Sequence, residues 1–209
     1  MLDVNSVFAG IALLQKIEWA GRISHRSEDA QTGDSWEKFL RAVVLGHGDW
    51  SITEHASVTV DAVVDRGITH EWVRHRIGAY TQESTRFVNY EKKMPPSFIL
   101  PAGLTSDQIQ PWRIGIEEAE IGYRGMIARG CTPQIARSVF PNALASRLVT
   151  TYNLRNWRHF FLMRTTREAH PQMREVTIPL LKEFQEKIPV LYEDIEPEAK
   201  QSDNMKKMR

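Results

Sequence analysis

Apolar and polar positions follow two different periods along this chain, and the changes of period mark its elements. Val7, Phe8, Ile11, Leu14, Ile17 and Trp19 recur at largely helical spacing and predict a first helix over residues 7 to 20. Asp34 and Glu37 stand at N-cap and N3 spacing before the stripe Trp36, Phe39, Leu40, Val43 and Val44, which Gly46 and Gly48 end, so a second helix is expected. The period then drops to two. Val58, Val60, Ala62 and Val64 alternate with Thr59, Asp61 and Val63, the pattern of a half-buried strand with His55 and Ser57 at its mouth. Gly67 breaks it, Thr69 can cap, and His70 to Arg76 reads as a helix ended by Gly78.

Pro95, Pro96 and Pro101 make residues 91–111 a surface excursion or lid. Helical spacing resumes from Trp112 to Arg129 through Ile116, Ala119, Tyr123, Met126 and Ile127. Thr132 and Pro133 supply an N-cap with proline at the first helical position, opening a short helix that carries Arg137 and stops before Pro141. Val149 to Tyr152 is a β-branched, strand-like run. Asn153 is placed to cap the helix Leu154 to Met163, on which Arg155 and His159, four apart, share a face. A last helix follows Pro171 and runs to Ile188, bent at Pro179, and residues 192–209 read as a frayed tail. Trp36, Trp50, Trp72 and Trp157 read as core.

Composition narrows the class. At 209 residues one domain, 1–209, is expected. Formal net charge is +1, which argues against a nucleic-acid binder that works by neutralising phosphates. The single cysteine, Cys131, excludes an internal disulfide and suits a reducing compartment, so the cytoplasm is the expected location. No apolar run approaches the roughly 20 residues needed to cross a bilayer, and no export signal opens the chain, so no membrane association is expected. His70 and His75 are five apart, about 140° around a helix, where a zinc pair needs four, so no metal site is expected. Cys131 is either a small residue packed at a helix start or a thiolate activated by the helix N-terminus.

The chemistry concentrates in residues 74–86. Arg74, His75 and Arg76 are followed by Gln82, Glu83, Ser84, Thr85 and Arg86. Consecutive helical residues point about 100° apart, so the basic triplet cannot share one face. A helix C-terminus favours cations, which accounts for the arginines structurally but leaves the polar cluster unexplained. Arginine forks bind phosphate bidentately, while Gln, Ser and Thr supply the neutral donors and acceptors that read a base or sugar. This is a nucleotide-site vocabulary.

Arg-His-Arg, seven residues, Ser84 and then Arg86 resembles the signature of the flavin-dependent thymidylate synthases. The resemblance extends upstream through Glu54-His55-Ala56-Ser57 and Thr69 to Val73. Downstream it continues through Ala136 to Pro141 and Asn153-Leu154-Arg155 to Arg164, about residues 9 to 190 in all. It implies an α+β fold with a central mixed or antiparallel sheet packed against helices. It also implies a homotetramer whose active sites are shared between subunits. The implied reaction makes dTMP from dUMP, with methylenetetrahydrofolate as carbon donor and NADPH-reduced FAD as hydride source. Glu71, Trp72, Val73, Arg74, Gln82, Glu83, Ser84, Thr85, Arg86, Arg137 and Arg164 match dUMP positions, Arg164 being the catalytic one. His55, Ser57, Arg74, His75, Arg76, Gln82, Asn153, Leu154, Arg155 and His159 match FAD positions. Ala79 stands where the family often has Ser, and Thr81 where it has Asn or Ser. The alternative function is a non-catalytic nucleotide- or RNA-binding module that keeps the pocket, and bound flavin separates the two.

Overall fold

The computed structural model describes residues 7–92 and 94–207, and of Val7, Phe8, Asn204 and Met205 the backbone alone. The first two apolar positions of the expected first helix thus lie outside the described side chains. The architecture is α+β. Strands β1 (Ser57–Asp65), β2 (Ala79–Gln82) and β3 (Ala145–Asn153) form an antiparallel sheet in the order β1-β3-β2. The expected alternation on β1 holds: Val58, Val60 and Val64 are buried. Two compact units divide the chain, one of Met1–Asp61, His75–Ala79 and Thr150–Arg209, the other of Ala62–Arg74 and Tyr80–Val149.

In the first unit, α1 (Val7–Ile23) packs on α7 (Pro171–Lys187) at Gly10, where a Cβ would fall 1.6 Å from the Lys187 carbonyl oxygen. Only glycine allows that approach. Leu14 and Ile17 are buried as expected, but Trp19 is 51% exposed and Glu18 goes inward instead. There Glu18 Oε1 accepts from Arg22 Nε at 2.8 Å and Ser35 Oγ at 2.6 Å, which offsets part of the cost of burial, while Oε2 is buried with no hydrogen-bond partner among the described residues. The second helix, α2 (Ser35–Leu40), continues as a wider π turn, Arg41–Gly46. Asp34 occupies the N-cap position, yet its carboxylate accepts from Thr32 Oγ1 at 2.7 Å rather than capping.

Residues 150–207 complete this unit. Asn153 caps α6 (Leu154–Arg164) as expected, its Oδ1 accepting from Asn156 N at 2.8 Å. Trp157, Phe160, Phe161, Phe184 and Tyr192 form a fully buried aromatic core. The expected frayed tail is a correction. Leu191, Tyr192 and Ile195 are buried, the Tyr192 hydroxyl donates to Leu154 O at 3.0 Å, and Gln201–Lys206 forms α8. Its mixed charge is partnered: Asp194 holds the buried Arg158 through two contacts of 2.7 and 2.6 Å. Arg158 also lies 4.3 Å over the Trp50 ring, so half-buried Trp50 is not the core residue expected, unlike Trp36, Trp72 and Trp157.

In the second unit, α3 spans Arg66–Trp72. It begins earlier than expected because Asp65, not Thr69, is the cap: Asp65 Oδ1 accepts from Ile68 N at 2.8 Å. Gly67 lies inside the first turn rather than breaking the strand. Arg74, His75 and Arg76 consequently follow the helix instead of ending it, and the face argument for the triplet falls. α4 (Ser106–Ala128) also starts ahead of Trp112, because Gln108 accepts from Thr105 N at 3.0 Å in a capping box, and Pro111 sits within it. After α5 (Pro133–Ala136) a 3₁₀ turn, Arg137–Val139, presents Arg137. Tyr90, Tyr123, Ala136 and Leu144 make this unit's core, and partly buried Cys131 packs against them.

Candidate active site

The second unit gathers most of the residues expected for a nucleotide. β2 ends at Gln82, and the Glu83 N–H donates to Arg147 O at 2.8 Å, which fixes the start of the following turn on the sheet. Ser84 O accepts from Val88 N at 3.0 Å and Ser84 Oγ from Arg86 N at 3.3 Å, so residues 84–88 form a tight turn that holds exposed Arg86 at its tip. Thr85 is buried, and its hydroxyl accepts from Arg137 Nη1 at 2.8 Å, which brings Arg137 from the turn after α5 to this loop. Glu83 is anchored by the Tyr90 hydroxyl at 2.8 Å; burial, and then this carboxylate, hold the Tyr90 pKa far above its usual value. Gln82 bonds Thr69 and Ser146. Glu71 and Val73 lie half-buried at the end of α3, and Arg74 is exposed just past it. Trp72 is fully buried, so its side chain belongs to the core.

The first unit gathers a second set. Arg164 Nε donates to His75 Nε2 at 2.9 Å, and the His75 ring packs edge-on against Phe160 and His159 at 4.9 and 5.6 Å. Burial, then Arg164, then His159 lower the His75 pKa to about 4, so the ring is neutral near pH 7. Since Nε2 accepts, the remaining ring proton is on Nδ1. Burial and then Arg164 lower His159 as well. Gly78 runs directly beneath Tyr152, where a Cβ would lie 2.2 Å from the ring, and this fixes the chain between Arg76 and β2.

Beside these groups lies a cavity of about 500 Å³ lined by Trp50, Glu54, Ile77, Arg155, Asn156 and His159 among others. Arg155 pairs with Glu54 at 2.6 Å and Asn156 Nδ2 donates to Ile77 O at 3.0 Å. His55, Ser57 and Arg76 are exposed, whereas Asn153 spends its side chain on the α6 cap and Leu154 is core. Sequence reasoning named neither Asn156 nor Trp50 for this cavity. The opposite charges of Glu54 and Arg155 were a usable signal, while nothing in the sequence marks the carbonyl of Ile77.

Because His75 is neutral in the folded protein and titrates near 6.5 when unfolded, its environment stabilises the fold above about pH 6.5. That contribution is lost as pH falls toward 4. The Tm of His75→Gln is expected to fall less between pH 7 and 5 than that of the unsubstituted protein. Parallel Tm profiles in that window would show that the ring is not held neutral.

Among the described residues no group of three or more His, Cys, Asp or Glu could hold a metal ion, and no helix is long and apolar enough to cross a membrane. Comparison with known proteins places the chain in a family. The family model described as thymidylate synthase complementing protein matches residues 12–190. A flavin-dependent thymidylate synthase of Pyrococcus abyssi is 34% identical over 182 residues, covering 82% of this chain and 74% of its own. A protein of the same description from Corynebacterium aurimucosum is 31% identical over 200 residues, covering 85% and 78%. A match of that extent means that this chain belongs to the flavin-dependent thymidylate synthase family.

Proposed function

We propose that this chain makes dTMP from dUMP, with methylenetetrahydrofolate as carbon donor and NADPH as reductant of a bound FAD. The observation that carries the reading is the pairing of Arg164 with a histidine kept neutral. His75 orients the guanidinium without adding charge, leaving Arg164 suited to stabilise an anion developing on uracil. A guanidinium stays protonated at ordinary pH, so Arg164 acts by charge and hydrogen bonding, not as a base.

The cavity fits a flavin nucleotide. Its size is that of a ligand pocket, and Lys207, with Arg155 in its exposed ion pair to Glu54, puts cationic groups at its wall for an anionic cofactor. His55, Ser57, His75, Arg76, Gln82, Arg155 and His159 would hold FAD, with Asn153 and Leu154 contributing through the main chain. When bound, FAD supplies the hydride. Arg74, Arg86 and Arg137 hold the dUMP phosphate, Ser84 faces the base, and Glu71 to Val73 with Glu83 and Thr85 shape its surroundings. The whole of 1–209 acts as one domain in a cytoplasmic homotetramer with active sites shared between subunits.

The test is the absorption spectrum of the purified protein, followed by dUMP-dependent oxidation of its reduced flavin and detection of dTMP. Absence of flavin would favour the non-catalytic binding module instead. Arg74→Ala and Arg86→Ala are each expected to weaken dUMP binding by about 1.5 to 3 kcal/mol, since each removes a charge-assisted contact, with lysine rescuing only in part. Titration of folded variants checks this, and unchanged affinity in both removes the phosphate assignment.

A further inference from the structure

Gln82 closes β2 with both amide hydrogens engaged: Nε2 lies 3.0 Å from Thr69 Oγ1 and 3.2 Å from Ser146 Oγ. The two ends of an amide side chain have nearly the same shape, so the hydrogen-bonding state of the partners decides which end faces them. Thr69 decides it here. Its one hydroxyl hydrogen goes to the Arg66 carbonyl oxygen at 2.9 Å, an atom that can only accept. Toward Gln82, therefore, Thr69 Oγ1 is an acceptor and requires Nε2. Thr69 is 0% and Ser146 2% exposed, so water cannot replace either contact. A flipped amide would set two acceptor oxygens against each other in a buried site. Gln82 Oε1 is thereby turned away from both hydroxyls; among the described residues it accepts no hydrogen bond, and it is not a buried orphan.

We propose that Thr69 and Ser146 are positioning residues that hold Gln82 as an obligatory acceptor, so that this position selects a ring imide N–H, a nitrogen carrying hydrogen between two carbonyls. The inference rests on the reading of the site as a thymidylate synthase site, where uracil and the isoalloxazine of FAD both carry that group. A cytosine ring presents a lone pair at the same place, and N-alkylation removes the donor. A site built around a hydrogen bond rejects a partner lacking it because a polar atom is left unpaired.

The test is a ratio of affinities on the holoenzyme. dUMP is compared with 3-methyl-dUMP and dCMP by titration, and FAD with 3-methyl-FAD by exchange into the protein. The unsubstituted protein is expected to favour the N–H form by about tenfold or more. In Thr69→Val, which keeps shape but not the hydroxyl, and in Ser146→Ala, the freed amide rotates and the ratio falls toward one. Gln82→Met removes the acceptor and gives the same collapse, so the comparison survives if one variant does not fold. Collapse in the dUMP series assigns the contact to the base, and collapse in the FAD series assigns it to the flavin. Ratios unchanged in every folded variant overturn the proposal while leaving the thymidylate synthase reading in place. An unsubstituted protein that binds neither dUMP nor FAD overturns that reading itself.

Discussion

Arg164→Ala is expected to lower turnover by about 10² to 10³, equivalent to roughly 3 to 4 kcal/mol, with a smaller effect on dUMP affinity. The guanidinium is half-buried at the end of α6, beside Phe160 and Phe161, with His75 as a neutral partner at 2.9 Å. A fixed cation in such a setting interacts strongly with charge that appears only as the reaction proceeds, so its removal falls on kcat more than on binding. Lysine keeps the charge but loses the planar fork and the Nε donor to His75, so Arg164→Lys should fall between alanine and the unsubstituted protein. FAD content should survive both changes, because Arg155 and His159 remain. Stopped-flow oxidation of reduced flavin by dUMP plus methylenetetrahydrofolate measures the effect. Full rates in Arg164→Ala would reduce this residue to a structural end of α6.

The second large effect is on stability. Asp194→Ala should cost about 3 kcal/mol, the lower end for breaking a buried ion pair, because Asp194 itself is 41% exposed while the Arg158 side chain is 5% exposed. Burial alone would raise the Asp194 pKa, yet the Arg158 contacts outweigh it and hold the carboxyl below its usual range. Without Asp194 the guanidinium keeps the Leu191 carbonyl at 2.7 Å and the Trp50 face, but no anion. Because a lowered carboxylate pKa stabilises the fold above the unfolded value, acid should remove the same contribution as pH falls below about 4. Denaturant unfolding of Asp194→Ala at neutral pH checks the magnitude; a change under 0.5 kcal/mol, about the size of a surface substitution, would mean that the pair is solvated.

That pair also shows where sequence reading stopped. β1 was legible because burial on one face imposes a period of two, and α5 and α6 were legible because Pro133 and Asn153 act on their immediate neighbours. The start of α3 was misread because two residues able to cap, Asp65 and Thr69, stand four apart. The hydroxyl of Thr69 is satisfied by Arg66 within the helix, which leaves the cap to Asp65. The tail was misread because its charges have partners far along the chain: Asp194 meets Arg158, 36 positions away, and Arg174 meets Glu198, 24 away. The site divides in the same way. The motif residues 82–86 were recognisable as a run, while the contacts of Arg164 with His75 and of Arg137 with Thr85 join residues 89 and 52 positions apart. Local pattern cannot supply such pairings.

The Trp157 indole, enclosed by Tyr152, Phe160, Phe161 and Phe184, donates its N–H to Val58 O at 3.0 Å with no part of the side chain exposed. In deuterated solvent that single proton has no local route of escape. Its exchange must wait for an opening that separates α6 from β1, so its rate follows the rarest and largest fluctuation of that part of the molecule. Ligands that bind the native state make such openings rarer, and this one proton would therefore keep time for site occupancy from inside the aromatic core.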